Sequence, residues 1–370
     1  MKELRFAIFG TGYWARYQLA AWQELKGAVC VALYNRTRSK AEALAREFNI
    51  PKVYDDPRVL LRQERPDFVD VITDGATHRQ FVEMAANERV PVICQKPMAT
   101  SLADARAMVE ACSRAGVLLL VHENWRWQTP IRKLKHLLDS GVIGRVFRAR
   151  ITYSNSFPVF DNQPALRFCD KFILLDMGTH ILDSMRMLFG EVETLFCQTA
   201  RVHREIQGED VATVMAGMAG GMTVTCELSY ASRLEHERFP ETYVTIEGEL
   251  GAIELGPDYW VRVTTREGTQ AKRHAPPDYS WVDPRYKLSQ SSGVACNADL
   301  LKALSGAKPA ETTGEDNLRT LELVFGCYES AATGRVLRIG HGSPPGTVGL
   351  ERKGTDLISL QGSGRGGLEN

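Results

Sequence analysis

Phe6-Ala7-Ile8-Phe9-Gly10-Thr11-Gly12-Tyr13-Trp14-Ala15 is the stretch that decides the fold. Four apolar residues in a row suit a strand buried on both faces of a parallel sheet. Residues 10–15 then have the spacing Gly-x-Gly-x-x-Gly/Ala. The first glycine permits a tight turn, the second lets backbone approach a pyrophosphate, and a small third residue allows close helix–strand packing. The helix opening here presents unpaired N–H groups and the positive end of its dipole to a phosphate. The stretch predicts a dinucleotide turn, with Gly10, Thr11, Gly12, Tyr13 and Trp14 facing the cofactor.

Working outward, the first third of the chain repeats the same beat. Short runs rich in β-branched residues at 6–9, 29–34, 68–73, 91–94 and 117–121 read as strands, and 14–25, 39–48, 78–88 and 101–115 read as helices between them. Ser101 followed by Asp104 is a capping signal, and Gly116 is a helix stop. Strand–helix alternation predicts a doubly wound α/β Rossmann domain over residues 1–123. Beyond it, helices are expected at 129–140 and 176–188, a strand-rich region at 192–265, a long loop at 266–293 and a last helix at 315–333. Grouped strands predict an α+β domain over 124–340, and the glycine-rich stretch 341–370 reads as a flexible tail.

The 370 residues carry 45 Lys+Arg against 45 Asp+Glu, so no basic excess points to nucleic acid or an anionic membrane. No apolar run approaches the length of a membrane span, and the first residues do not read as a secretory signal. None of the eight cysteines forms a Cys-x-x-Cys pair, which fits reduced, packed thiols in a cytoplasmic protein and no structural metal.

The second strand ends Tyr34-Asn35-Arg36, about 20 residues past Ala15, where an acidic residue usually holds the adenosine ribose of NAD. Asn35 suits a ribose hydroxyl and Arg36 a 2′-phosphate, so NAD and NADP both stay open. Gln95-Lys96-Pro97 closes a later strand, where α/β sheets place their ligand crevice. Asp176 and His180 stand four apart, which on an α-helix puts a carboxylate beside an imidazole suited to proton transfer. In His122-Glu123-Asn124-Trp125-Arg126-Trp127, Asn124 is placed at the nicotinamide ribose or the substrate and Trp127 as an apolar wall for a sugar face. The His122-Glu123 pair lacks a second His at metal-ligand spacing, so a metal-free site is expected. The segment from Asn155 to Pro164 mixes amides with aromatics, as polyol sites do, and reads equally as a packed surface loop.

In this order and spacing, the glycine turn, the Thr73…His78 segment, the Lys96-Pro97 step, the Asp176…His180 pair and Ser330-Ala-Ala-Thr-Gly-Arg resemble the Gfo/Idh/MocA family of NAD(P)-dependent oxidoreductases. The resemblance implies a Rossmann domain followed by a large open, mostly antiparallel sheet, and a homo-oligomer, dimer or tetramer. It implies Lys96, Asp176 and His180 as the catalytic set. Thr73, His78, Gln95 and Lys96 would meet the cofactor, and Lys96, Trp127, Asn155, Asp176, Thr179 and His180 the substrate. Asp176 would orient the imidazole. Two positions depart from the family: Gln95 stands where Glu is usual, which should ease deprotonation of Lys96, and Asp74 where Pro is common. The implied reaction is hydride transfer from a polyol or aldose carbinol carbon, leaning to anomeric oxidation of an apiose-like aldose to its lactone. The alternatives are a ring secondary alcohol of a cyclitol or glycoside, and a non-catalytic nucleotide sensor.

Overall fold

Buried strands and capped helices appear where the sequence places them. The computed structural model describes residues 3–340 apart from 236 and 237. Its first layer comprises β1 (Leu4–Phe9), α1 (Tyr13–Gln23), β2 (Ala28–Tyr34), α2 (Arg38–Phe48), β3 (Lys52–Tyr54), α3 (Pro57–Glu64), β4 (Phe68–Val71), α4 (His78–Asn87), β5 (Val92–Gln95), α5 (Leu102–Ala115) and β6 (Leu119–His122). The strands are parallel in the order β3-β2-β1-β4-β5-β6, so the chain reverses direction across the sheet between β1 and β4. Ligands of open α/β sheets bind at such a switch point. Ser101 caps α5 by accepting from the Asp104 N–H, and Gly116 ends it in the left-handed region.

The second layer follows α6 (Thr129–Asp139): β7 (Val146–Ser154), α7 (Val159–Asn162), α8 (Thr179–Phe189), β8 (Val192–Ala200), β9 (Val211–Met218), β10 (Thr223–Ser229), β11 (Tyr243–Gly248), β12 (Gly251–Gly256), β13 (Trp260–Thr265), β14 (Gly268–Arg273), α9 (Lys287–Leu304), α10 (Gly314–Thr333) and β15 (Leu337–Arg338). Nine strands form one sheet, order β14-β13-β12-β11-β7-β10-β9-β8-β15, antiparallel except for the β7–β10 pair. The expected mostly antiparallel sheet is present. The expected loop at 266–293 is not: it contains β14 and the start of α9, which packs on α1 of the Rossmann layer. The short β3 and α3 were also outside the sequence reading. All eight cysteines are free, seven of them buried. No helix of the described residues is long and apolar enough to cross a membrane. The tail expected at 341–370 lies outside the described residues.

The described residues from 3 to 339 form one compact unit, and a buried charge cluster ties its two layers together. Arg126, just beyond β6, donates from Nε to Asp183 Oδ2 at 2.7 Å and from Nη2 to Asp183 Oδ1 at 2.5 Å. The same Nη2 reaches Asp316 Oδ2 at 3.0 Å on α10. Arg186, one turn after Asp183 on α8, holds Asp316 Oδ1 at 3.0 Å and the Thr320 hydroxyl at 2.9 Å. Removing one member strands the others without water, a loss of about 3–5 kcal/mol for a buried pair. Arg126→Leu is therefore expected to lower the melting temperature by several degrees, whereas Arg145→Leu, which breaks an exposed pair with Glu249, leaves it nearly unchanged.

Candidate functional site

The glycine turn sits at the β1/β4 switch point. Gly10 has φ +97°, and a Cβ there would lie 2.7 Å from the Ile72 carbonyl oxygen, so only glycine fits. At Gly12 the same test meets open space, and Gly12 begins α1 with no side chain capping its first N–H groups. Thr11 Oγ1 is buried without a partner. Free helix N–H groups, an unpartnered hydroxyl and an open cradle fit the pyrophosphate of a dinucleotide. Asn35 accepts from the Thr11 N–H at 3.2 Å and donates to the Thr37 carbonyl at 3.0 Å, so it shapes this turn, with Arg36 exposed beside it.

A cavity of about 460 Å³ continues from this turn into the second layer. Gly12, Tyr13, Trp14, Thr73, Gln95, Lys96, Asn124, Asp176 and His180 all line it, so the two halves of the expected site do share one space. Lys96 stands at the C-terminal end of β5. Its Nζ donates to Asp176 Oδ1 at 2.8 Å and to the Asp176 carbonyl at 3.1 Å. An ammonium has three N–H donors, so one remains for a ligand. Asp74 closes the turn before α4 by accepting from the Ala76 N–H at 3.0 Å.

The Asp176…His180 geometry differs from the expected α-helix. Leu174–Gly178 forms a π-turn ahead of α8, a wider coil that removes the simple four-residue register. Asp176 is taken by Lys96, while His180 Nδ1 is held by Glu123 Oε1. Glu123 is the residue that the sequence reading missed as the imidazole's partner. Its Oε1 also accepts from the Trp125 N–H at 3.2 Å, and the Trp125 ring stacks on His180 with centroids 4.5 Å apart. With Nδ1 engaged, Nε2 is the nitrogen left to the cavity. Burial pushes Glu123 up to about 7 and drives His180 well below the usual imidazole range, the Lys96 charge adding to the latter. The pair therefore competes for one proton in a dry setting. The phenols of Tyr153 and Tyr230 and the thiol of Cys169, which also line the cavity, are all raised by burial and stay protonated.

Several expected contacts fall elsewhere. Trp127 does not line the cavity; it packs under the Arg132 guanidinium, 4.4 Å from the ring centroid, and Trp125 takes the wall position. His78 is buried, with Nε2 at 3.1 Å from the Thr73 carbonyl and Nδ1 at 3.1 Å from that of Pro97, so it pins two cavity loops together. Thr179 is buried and donates to the Asp176 carbonyl at 3.0 Å. Asn155 is buried behind the wall, accepting from the Phe157 N–H at 3.0 Å. Asn124 lines the cavity and donates to the Ser289 carbonyl at 2.6 Å and to Ser292 Oγ at 3.0 Å on α9. Among the described residues no group of three or more His, Cys, Asp or Glu could hold a metal ion.

Residues 4–123 match a family model described as an oxidoreductase family with an NAD-binding Rossmann fold, and residues 131–254 match the GFO/IDH/MocA C-terminal domain. The chain is 42% identical over 340 residues to a D-apiose dehydrogenase of Rhizobium rhizogenes, covering 92% of this chain and 99% of that one. It is 41% identical to the D-apiose dehydrogenase of Paraburkholderia graminis, over 92% of this chain and 90% of the relative. A crystal structure of an oxidoreductase from Agrobacterium radiobacter in complex with NAD+, L-tartaric acid and magnesium superposes with a TM-score of 0.89 at 41% identity, covering 91% of this chain and 98% of that one.

The Glu123–His180 contact makes a prediction. Glu123→Gln keeps an acceptor for Nδ1–H but removes the negative charge that favours a protonated imidazole. The acidic limb of the kcat/KM profile is expected to move to lower pH, because a less basic imidazole stays neutral there. Its plateau is expected to fall by about tenfold or more, because that imidazole is a weaker base. An unchanged profile would detach Glu123 from the chemistry.

Proposed function

We propose that this chain, which belongs to the Gfo/Idh/MocA family of NAD-dependent oxidoreductases, oxidises the anomeric carbon of an apiose-like aldose to a lactone. The carrying observation is the convergence, in one cavity, of Lys96 from β5 and His180 from α8 beside the glycine turn. Bound NAD supplies the hydride acceptor. Every other part belongs to the protein. The sugar's anomeric hydroxyl gives its proton to His180 Nε2 as the C–H bond breaks and the carbonyl forms. Glu123 holds the ring and stabilises the imidazolium through Nδ1–H. The free N–H of Lys96 meets the reacting oxygen and steadies developing negative charge, while Asp176 aims the ammonium. Trp125, Tyr153 and Tyr230 supply the flat, amphipathic surface that a sugar ring needs.

The identities of 41% and 42% to D-apiose dehydrogenases along most of the chain support the aldose over other polyols. The outward row Phe196, Met215, Thr225 and Arg150 of the nine-stranded sheet supports a homo-oligomer, dimer or tetramer. A monomer mass by light scattering would remove that reading. Eight free cysteines accord with a reducing, cytoplasmic setting.

Free aldoses, inositols and methyl glycosides assayed with NAD and NADP decide the substrate. Apiose-type aldoses are expected to give reduced nicotinamide and methyl glycosides none, since a blocked anomeric hydroxyl cannot react. Turnover of inositols or glycosides instead would move the chemistry to a ring alcohol. His180→Ala is expected to lower kcat by about 10²–10⁴-fold, the usual worth of a positioned base, while NADH binding is retained.

A further inference from the structure

Behind the lysine runs a buried chain of polar groups whose orientation leaves no choice. Asp70 on β4 is fully buried. Gln18 Nε2, from α1, donates to both its oxygens at 2.8 Å, and Trp22 Nε1 donates to Oδ2 at 2.9 Å. Gln18 Oε1 in turn accepts from Gln95 Nε2 at 2.8 Å. Gln95 Oε1 then accepts from the backbone N–H of Lys96 at 2.7 Å. An ionised carboxylate only accepts and a backbone N–H only donates. The two ends therefore dictate the direction of both amides. Reversing either one would set two donors or two acceptors face to face. Burial raises Asp70 to about 7. Yet every group facing it in this chain is a donor, so a proton there would find no acceptor and the ionised form is the one the chain requires.

We propose that Asp70, Gln18 and Gln95 are positioning residues for Lys96. The buried carboxylate, acting through two amides in series, turns the Gln95 carbonyl on to the Lys96 amide and fixes the backbone from which the ammonium reaches Asp176. The proposal rests on the reading of Lys96 as the group that meets the reacting oxygen. It also accounts for the amide at 95. With the charge already at 70, a carboxylate at 95 would face the Gln18 oxygen, acceptor against acceptor. Only one of the two positions can carry the charge, and the chain is satisfied either way if the other is an amide.

That symmetry is the test. Gln95→Glu breaks the alternation and is expected to lower kcat by about tenfold or more, in line with one mismatched buried polar contact. Asp70→Asn, whose side-chain oxygen still accepts from Gln18 Nε2 and Trp22 Nε1, keeps the direction of the chain and is expected to lose less. In the double variant the polarity reverses. The new amide at 70 donates to Gln18 Oε1, and the new carboxylate at 95 accepts from Gln18 Nε2 and from the Lys96 N–H. The double variant is expected to recover to within about threefold of the parent kcat and to regain the melting temperature lost by either single variant, a non-additivity typical of residues in one network. NADH affinity, followed by nicotinamide fluorescence, should change by less than about threefold throughout, separating a lysine effect from a cofactor effect. A double variant no better than the worse single one overturns the proposal, as do single variants that both keep kcat within about twofold of the parent. Should a single variant fail to fold, the double variant decides alone: folded and active supports the relay, unfolded overturns it. A parent that oxidises no polyol counts against the proposed function instead. The relay is then read in the same cycle of melting temperatures, where recovery by the double variant is again required.

Discussion

The arginine at 126 is the constraint on which the rest depends. Its guanidinium is bidentate to Asp183 and also reaches Asp316, and it stands four residues beyond the end of β6 and two after Asn124. Five fixed donors in one plane allow little freedom in how α8 and α10 approach that strand. Once α8 is set, His180, one turn before Asp183, must lie over the strand exit, where Glu123 waits. The Glu123–His180 contact, which we propose organises the proton chemistry, is thus a consequence of a structural ion pair nearby. Because the cluster is buried, its retention owes more to geometry than to net stability, since such pairs roughly break even against apolar packing.

The same geometry separates two jobs that a single carboxylate cannot do together. Asp176 holds the ammonium, and Glu123 holds the imidazole. A carboxylate shared between them would be drawn towards the lysine ammonium and would favour imidazolium less. The π-turn at 174–178 makes the separation possible. It lets Asp176 face β5 while its neighbour Thr179 fixes the carbonyl that Lys96 also uses. Irregular turns of this kind inside helices commonly mark working sites.

Much of this was readable from the residues, for identifiable reasons. Gly10, Gly12 and Lys96 announce themselves because their roles depend on backbone and strand position, which local sequence encodes. His180 was legible as a base but its partner was not, because Glu123 is distant in sequence and meets the ring only after the layers pack. Trp125 and Trp127 were exchanged because a tight turn over 125–127 rotates them to different sides. The helix α9 escaped notice for another reason. Ser289, Gln290, Ser291, Ser292, Asn297 and Asp299 are buried polar residues that interrupt the sparse apolar face of Leu288, Cys296, Leu300 and Ala303. Its composition looks like a loop until one sees that Asn124, Asp283 and the Gln18 carbonyl in the middle of α1 supply its hydrogen bonds.

The buried setting also fixes the order of charges. Lys96 and Asp176, an ion pair lining the cavity, sit beside His180, whose partner Glu123 is buried behind the lining. With Glu123 ionised these four groups carry one negative charge, the lining Asp74 and Lys171 offsetting each other. In the proposed reaction that charge would suit the positive ring of an oxidised nicotinamide. A proton passed to His180 in that reaction would leave the same four groups neutral as a set, while the ring would give up its charge. The net charge around the site would then be unchanged from start to finish, which matters where little water can screen it. This balance needs Glu123 to be ionised beforehand, and burial leaves it raised to about 7 even with Lys96 and Arg126 close by. The nearby charges of Lys96 and Arg126 pull the other way. A cationic ring alongside would add to that pull, so that cofactor binding and base activation become one electrostatic event.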